Sequence, residues 1–259
     1  MPPDFCGGGI MPETTKWVKV FSAVSNEGLG KGDGVDDDGS IAADASGDGG
    51  GNDDDDEDDC GSASVLLGLS VVGLTLLKMS ALLILSEGTE ELEAVTVADV
   101  LARGKIKVTI GGLQGPRVLK CSNGVKIQPD VALSDVESDL FDAVIMPGGL
   151  GGSHAMAESP IVKKILQHHY DNKKIVAAIC AAPIGLQSHG IGLGKKITSY
   201  PGFEDKLKGF TYCSDQVVVD GNLVTSRGPG TAMPFALKLL EILVDKRTSD
   251  DIAKKMLVR

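Results

Sequence analysis

Cys180 is the residue whose surroundings most clearly predict chemistry. It follows the apolar run IVAAI at residues 175–179 and precedes Ala181-Ala182-Pro183, where a helix is expected to begin. A cysteine on a sharp strand-to-helix turn resembles the nucleophile elbow of hydrolases, and the positive end of a helix favours the thiolate. We therefore predict a reactive thiol with a pKa below the free value of about 8.5. The alternative is an inert buried cysteine, the commoner role of a lone cysteine flanked by apolar residues.

Two further groups of small or polar residues follow predicted strands. Ser86-Glu87-Gly88 follows the run ALLIL and leads into a helix that carries Glu93, and Pro147-Gly148-Gly149 follows FDAVIM. Sites in open α/β sheets form where parallel strands end at their carboxyl edge. Because all three groups stand at such ends, we expect them to lie near one another. Their conjunction favours a reactive Cys180 over an inert one.

The elements that must position these residues alternate between strand-like and helix-like segments. Short aliphatic runs typical of buried parallel strands are separated by stretches with helical spacing of apolar residues, which predicts an α/β fold with a mostly parallel sheet covered on both faces. An Asp-Gly turn near residue 221 predicts a hairpin. The predicted strands are 81–85, 106–110, 141–146, 175–179, 217–219 and 223–226, and the predicted helices are 89–103, 161–170, 181–187, 231–245 and 250–257.

Charge divides the chain into two parts. Residues 1–78 contain sixteen acidic and four basic residues, whereas residues 79–259 contain twenty acidic and twenty-one basic residues. The stretch from Asn26 to Gly61 is mostly Gly, Asp and Ser, with too little apolar surface to offset the entropy of folding. We therefore predict, from composition, a disordered acidic low-complexity extension at 1–78 and one folded domain at 79–259.

Several classes of protein are disfavoured by composition. The near-neutral domain has no basic stripe for nucleic acid. The apolar run Val65–Leu77 has thirteen residues, fewer than the roughly 20 of a membrane span, and acidic residues precede it where a secretory signal needs basic ones. The five cysteines have no CxxC spacing, so we predict neither a disulfide framework nor a zinc site, and a reducing compartment, by default the cytosol. They are Cys6, Cys60, Cys121, Cys180 and Cys213.

Five stretches in order resemble one known family. They are ALLILSEGTEELEAVTVADVLARGKIKVTIGGL, KCSNGV, FDAVIMPGG, IVAAICAAPIGLQSHGIG and VTSRGPGTAMPFAL, which together span residues 81–237. This combination resembles the Parkinson-disease-associated deglycase family, also called the DJ-one family, related to class I glutamine amidotransferases. The resemblance covers residues 79–259 and none of the extension. It implies a flavodoxin-like three-layer sandwich with helices on both faces of the sheet.

The resemblance also implies roles for individual residues. The family's reactive cysteine matches Cys180, and its partner acid, protonated and hydrogen-bonded to the sulfur, matches Glu93; otherwise Glu93 would be read as an exposed acid at a helix start. Backbone N–H groups near the sulfur form an oxyanion site, and a loop closes over the cysteine. The residues implied in this substrate-binding part are Gly148, Gly149, Ala181, Arg227, Gly228 and Pro229. Arg103 matches an arginine near the family's dimer interface, with a solvated helix-end cation as the alternative.

Two positions depart from the family pattern. Tyr200-Pro201 stands where a histidine and proline are common, so a Cys–His dyad is in doubt, although the Tyr200 hydroxyl could bind a substrate oxygen. Asn123 replaces a common arginine. Cys121 is interpreted as an accessory thiol prone to oxidation. We interpret the four histidines, none of which has ligand-like spacing, as structural or solvated; they are His154, His168, His169 and His189.

The preferred hypothesis is a cysteine-dependent glyoxalase or deglycase. It would act on methylglyoxal, glyoxal and their early adducts on proteins or nucleotides, protect against oxidative stress, and need no metal or organic cofactor. The resemblance further implies a homodimer in the cytoplasm, with the nucleus and mitochondria as further compartments. Two alternatives remain: a redox sensor or chaperone in which Cys180 is oxidised to sulfinate, and an interaction protein with a vestigial site.

Overall fold

Strands and helices alternate through the part of the chain that the structure, a computed structural model, describes, which is residues 78–258. The strands are β1 Ser80–Leu85, β2 Lys107–Gly112, β3 Leu119–Lys120, β4 Lys126–Ile127, β5 Val131–Ala132, β6 Ala143–Met146, β7 Ile175–Ile179, β8 Lys196–Ile197, β9 Thr211–Tyr212, β10 Val217–Asp220 and β11 Leu223–Ser226. The helices are α1 Glu91–Arg103, α2 Leu150–Glu158, α3 Pro160–Asp171, α4 Pro183–His189, α5 Ala232–Leu243 and α6 Lys246–Lys255.

Seven strands form the main sheet, in the order β10-β11-β7-β6-β1-β2-β5. All neighbours are parallel except β10 and β11. From β1 the chain first adds β2 on one side of the sheet and later adds β6 and β7 on the other side. The order in which strands are added therefore reverses between β1 and β6, although the two strands are parallel. Such a reversal opens a crevice at the carboxyl ends of the two strands. The chemistry-bearing loops predicted above all leave the sheet beside this crevice.

Two apolar cores cover the two faces of the sheet. Alternate residues of β1 point to opposite faces, as the period of a strand requires. Ala81, Leu83 and Leu85 pack with residues of α1, α5 and α6, whereas Leu82 and Ile84 pack with residues of α2, α3 and α4. Every residue of β1 from 81 to 85 is fully buried. The predicted three-layer α/β sandwich with a mostly parallel sheet is therefore confirmed.

The predicted hairpin is present, with a shorter turn than expected. Asp220 pairs with Leu223, which leaves Gly221-Asn222 as a two-residue loop. Only Gly221 of these two has a positive φ, 64°, so the first loop position is the one that needs glycine. Asp220 instead belongs to the strand, where its carboxylate accepts hydrogen bonds from the backbone of Lys196 and the side chain of Lys195.

Other differences from the predicted elements have local causes. The last helix begins at Lys246 rather than at residue 250, because the Asp245 carboxylate accepts a hydrogen bond from the Thr248 N–H and caps it. The helix α2 was not predicted because its sequence, LGGSHAMAE, contains two glycines and little apolar periodicity. The two-stranded sheets β3-β4 and β8-β9 are too short to leave a repeating pattern.

No helix within residues 78–258 is long and apolar enough to cross a membrane. The segment Val65–Leu77 and the acidic extension lie outside the described residues, so the predicted boundary at residue 78 stays a prediction.

Candidate active site

Three neighbouring parts of the sheet bring the candidate residues together. Cys180 follows β7, Gly148 follows β6, and Glu93 lies in the first turn of α1, which follows β1. Since β7, β6 and β1 are adjacent and parallel, their carboxyl ends meet at one edge. A side chain atom added at Gly148 would lie 2.4 Å from Cys180 Cβ and 2.7 Å from Glu93 Oε2. The thiol and the carboxyl therefore meet across Gly148, as the sequence predicts for strand ends.

Cys180 has the strained backbone of a nucleophile elbow. Its φ of 66° lies in the left-handed region, which costs a non-glycine residue about 1–2 kcal/mol. Hydrogen bonds on both sides hold this conformation: the Cys180 N–H donates to Ser226 O at 3.1 Å, and the Tyr200 N–H donates to Cys180 O at 2.8 Å. The surrounding loops thus fix the direction of the thiol before any substrate binds.

Glu93 is fully buried and is fixed at one oxygen. Its Oε2 accepts a hydrogen bond of 2.7 Å from the Gly148 N–H. Its Oε1 is also buried and has no hydrogen-bond partner of ordinary geometry among the residues that the structure describes. The carboxylate of Glu90, the residue before α1, accepts a 2.7 Å bond from the Glu93 N–H. A buried carboxyl with one unsatisfied oxygen is costly when ionised, so the site favours the protonated acid.

Glycine is required at two positions because the chain approaches itself closely. At Gly148 a larger residue would overlap Cys180 Cβ, as described above. Gly149 has a φ of 83°, and a side chain there would lie 2.2 Å from Gly88 O and 2.5 Å from Glu90 N. Glycines at these positions let the loop after β6 pass between the start of α1 and the thiol.

Burial controls the titration of both groups. It raises the pKa of the Glu93 carboxyl from 4.5 to about 7, opposed by the Gly148 N–H and assisted by the charge of Glu90. Burial also raises the pKa of the Cys180 thiol to about 12, and an ionised Glu93 adds to that rise. Backbone N–H groups of Gly149 and Ala181 donate to the sulfur and act in the opposite direction. These two donors are the predicted oxyanion groups, and the structure places both beside the thiol.

The predicted low thiol pKa is therefore wrong, because burial, more than the charge of Glu93, raises the pKa of Cys180 to about 12. The sequence argument considered only the dipole of the following helix, but α4 begins three residues later at Pro183 and is only seven residues long. Burial and a neighbouring carboxylate act on the sulfur directly. Because the two groups interact strongly, they titrate as a pair, and a proton on Glu93 removes the charge that opposes the thiolate. Ionising one member of the pair costs a moderate free energy, whereas ionising both costs much more because the two negative charges repel each other.

The remaining predicted binding residues lie in two loops that hydrogen-bond to the backbone of Cys180. Arg227 and Gly228 follow Ser226, whose carbonyl binds the Cys180 N–H. The Tyr200 ring packs against Gly228, and its side chain is about half exposed. Arg227 donates from Nη1 to Ser214 O at 3.1 Å, while its buried Nε has no hydrogen-bond partner among the described residues. Pro229 opens a single 3-10 turn that ends at residue 231.

Three other singled-out residues lie away from the thiol or lack the expected character. Arg103 forms an exposed ion pair with Asp99 at 2.8 Å, as a helix-end cation does. Asn123 binds the Glu91 carboxylate through its N–H and its amide, so it ties the turn between β3 and β4 to α1. Cys121 is buried, and burial together with nearby acids raises its pKa to about 12, which disfavours the predicted oxidation-prone thiol.

Two of the histidines have structural roles. His169 is fully buried, accepts a hydrogen bond from the Phe141 N–H at Nε2 and contacts Ile165 O through Nδ1, so it is neutral. His189 Nε2 contacts Met156 O at 2.9 Å. Within residues 78–258, no three His, Cys, Asp or Glu side chains are grouped closely enough to hold a metal ion.

Sequence reasoning missed two groups that build the site. Glu90 caps Glu93, and the Ser226 carbonyl anchors the Cys180 backbone. Glutamate is not among the usual N-cap residues, so the sequence carried little sign of this cap. A backbone carbonyl leaves no mark on the sequence.

Comparison with known proteins agrees with this geometry. A model described as "DJ-1/PfpI family" matches residues 79–242, more than half of the chain. The chain belongs to the DJ-1/PfpI family. The resemblance predicted from the sequence is thus confirmed. Among curated relatives, Protein dj-1beta of Drosophila melanogaster is 51% identical over 181 residues, which are 69% of this chain and 97% of that protein.

Other members of the DJ-1/PfpI family extend the comparison. The protein named Glutathione-independent glyoxalase DJR-1.2, from Caenorhabditis elegans, is 37% identical over 181 residues, 69% of this chain and 96% of its own length. The crystal structure of Drosophila melanogaster DJ-1beta has a TM-score of 0.70 and 50% identity, covering 71% of this chain and all of the other. This likeness confirms the flavodoxin-like fold.

Proposed function

We propose that this chain is a cysteine-dependent glyoxalase or deglycase acting on methylglyoxal, glyoxal and their early adducts. The observation that carries the proposal is the buried pair of Cys180 and Glu93, with the carboxyl pKa raised to about 7 by burial. Such a pair supplies a nucleophile and an acid that can also act as a base near neutral pH. The family relative named as a glutathione-independent glyoxalase supports the reaction class.

The reaction begins when the Glu93 carboxylate takes the proton of the Cys180 thiol, which gives the thiolate and a protonated Glu93. The sulfur attacks the aldehyde carbon of methylglyoxal, forming a C–S bond, and Glu93 gives its proton to the aldehyde oxygen. The product is a hemithioacetal, and Glu93 is left as a carboxylate. Backbone N–H groups of Gly149 and Ala181, which flank the sulfur, stabilise the negative charge that develops on that oxygen.

The second half of the reaction moves one proton between adjacent carbons. The Glu93 carboxylate removes the proton from the carbon bonded to sulfur, which leaves an enediolate. The hydroxyl proton passes to the neighbouring oxygen, and Glu93 returns its proton to the neighbouring carbon, which gives a thioester. Water then cleaves the thioester and releases lactate, or glycolate when the substrate is glyoxal. Side chains, backbone N–H groups and water carry every step, and the atoms balance as one dicarbonyl plus one water.

The exposed rim of the site suits a small polar substrate. Tyr200 can donate a hydrogen bond to a substrate oxygen, because its half-exposed ring lies against Gly228 beside the Cys180 backbone. Arg227 adds a cation whose Nε is unpaired within the described residues. Gly148 and Gly149 lie beside the thiol, and we include Pro229, which follows Gly228, among the binding residues. Tyr200 is a binding group in this proposal and not the catalytic base.

A second candidate function is redox sensing, in which peroxide oxidises Cys180 to a sulfinate. It is favoured by the two N–H donors at the sulfur and by Glu93, since the same groups that stabilise a substrate oxyanion can hold sulfinate oxygens. A related family structure is described as oxidized Toxoplasma gondii DJ-1, with 34% identity and a TM-score of 0.66, covering 69% of this chain and 98% of that chain.

The biological setting is proposed from the family. We place the protein in the cytoplasm, with the nucleus and mitochondria as further sites, and in protection against oxidative stress. A homodimer with Arg103 near the contact is consistent with the half-exposed Leu92 on the same helix, an apolar side chain that a partner subunit would cover. The acidic extension at residues 1–78 stays a prediction from the sequence, and no step of the proposed reaction uses it.

Turnover of methylglyoxal by the purified full chain, without glutathione, tests the proposal. Lactate should form, and Cys180→Ser should abolish turnover while the melting temperature is kept, because the hydroxyl is far less acidic than the thiol. Cys213→Ser, at a partly exposed thiol, is the matched control and should retain activity. If the wild-type protein forms no lactate, the glyoxalase assignment is rejected.

Glu93→Gln separates the two candidate functions. Glutamine keeps a hydrogen-bond donor but cannot transfer a proton, so turnover should fall by a factor of about 100 or more. Oxidation of Cys180 to sulfinate by mild peroxide should still proceed, as a mass increase on that cysteine would show. If Glu93→Gln lost methylglyoxal turnover and Cys180 oxidation to the same extent, Glu93 would serve only to maintain the environment of the thiol.

A further inference from the structure

A second acid, Glu90, precedes α1 and contacts both Glu93 and Gly148, the residue that donates to the Glu93 carboxyl. Glu90 Oε2 accepts the 2.7 Å hydrogen bond from the Glu93 N–H, and the Glu90 N–H donates to Gly148 O at 3.0 Å. Gly148 in turn donates its own N–H to Glu93 Oε2 at 2.7 Å. Glu90, Glu93 and Gly148 therefore form a closed triangle of hydrogen bonds beside Cys180.

The Glu90 carboxylate is itself held in place. Its Oε1 accepts from the Asn123 amide at 3.4 Å, so the turn between β3 and β4 supports it from the outer side. The Glu90 carbonyl accepts from the Ala94 N–H, as the first bond of the helix. Glu90 is also partly buried. A charge fixed this close to a buried carboxyl opposes a second negative charge there.

Other titratable groups around Glu93 and Glu90 are engaged elsewhere or lie on the sulfur side. The Glu91 carboxylate accepts from Ser122, Asn123 and the Val125 N–H. Glu87 pairs with Arg117 at 2.9 Å. The titratable groups near this region are therefore Glu87, Arg117, Glu90 and Glu91 around the start of α1, Cys121 after β3, and Cys180 after β7.

We propose that Glu90 is a positioning residue: its carboxylate fixes the first turn of α1 against the Gly148 loop, and its charge, held beside Glu93, favours the protonated form of that acid. Glu90 does not touch the substrate in this account. It acts through Glu93, and this consequence for catalysis rests on the proposed function.

The test measures the rate at which iodoacetamide alkylates Cys180 in the full chain, from pH 5 to 9, by mass spectrometry. In Glu90→Gln the amide oxygen keeps the cap while the charge is removed. We expect the midpoint of the pH profile to fall by about half a unit and the plateau rate to decrease, because more of the pair's charge then resides on Glu93. Glu90→Asp, which keeps the charge, should restore most of the wild-type profile.

Glu91→Gln is the matched control, because it removes one charge from the adjacent residue, whose carboxylate binds the β3–β4 turn instead of Glu93. Its midpoint should equal that of the wild type. An unchanged midpoint in a folded Glu90→Gln overturns the proposal and leaves Glu90 as a helix cap only. If that variant fails to fold, Glu90→Asn, a strong capping residue without charge, gives the same comparison. Alkylation needs no dicarbonyl turnover, so loss of the glyoxalase assignment would not affect this readout.

Discussion

Replacing Glu93 by glutamine should change how the stability of the protein depends on pH. The carboxyl is fully buried, and its pKa rises from 4.5 to about 7 on folding because burial disfavours the charged form. One pKa unit corresponds to 1.36 kcal/mol, so this rise amounts to about 3 kcal/mol. Glutamine has nearly the same shape, keeps an acceptor for the Gly148 N–H and cannot titrate.

The sign follows from which state binds the proton more tightly. The folded protein holds the Glu93 proton more strongly than the unfolded chain, so this group contributes stability at low pH. The contribution is complete below pH 4.5 and is lost as the pH rises through about 7. From pH 4.5 to 8, the unfolding free energy of the wild type should fall by about 3 kcal/mol relative to that of Glu93→Gln.

Urea denaturation of both proteins at several pH values, at one protein concentration, measures this difference. Subtracting the two curves removes the contributions of groups with lowered pKa values, such as Asp142 and Asp220, because both proteins share them. Parallel curves between pH 4.5 and 8 would refute the reasoning, since they would mean that Glu93 titrates in the folded state as it does in the unfolded chain.

Three further predictions follow from the same structure. Gly148→Ala should destabilise the fold by about 1–3 kcal/mol in urea and slow Cys180 alkylation, because its Cβ would overlap Cys180 Cβ; Gly151→Ala, with only ordinary contacts, should not, and equal effects would contradict the close approach. Burial lowers the pKa of His169, so neutral His169 contributes stability above pH 6.5 that is lost as the pH falls through its folded pKa. In His169→Gln the unfolding free energy should therefore decrease less as the pH falls below 6.5, and an unchanged decrease would argue against this role. Deleting residues 1–78 should leave a domain with one cooperative thermal transition, whereas loss of that transition would move the domain boundary.

Much of the fold was predictable because apolar patterning follows burial. The run at residues 175–179 predicted β7 to the residue, and the buried runs ending at residues 85 and 146 predicted the ends of β1 and β6. Elements that are too short or too rich in glycine to show an apolar pattern were not predicted. The glycine-containing α2 and the two-residue strands are held by contacts distant in sequence, for example Lys196 and Thr211, which pair as neighbours in β8 and β9.

The sequence by itself determined which residues could do chemistry and at which strand ends they stand. Cys180 at an elbow and Glu93 in an EELE segment were identified from the residues and from the family resemblance. Only the tertiary structure decided how they titrate, because pKa values depend on burial and on charges within a few ångströms. The helix dipole suggested a low thiol pKa, but packing raises the pKa of both groups and couples them across Gly148. That coupling, set by three loops that meet only in the folded sheet, determines where the single negative charge of the pair resides.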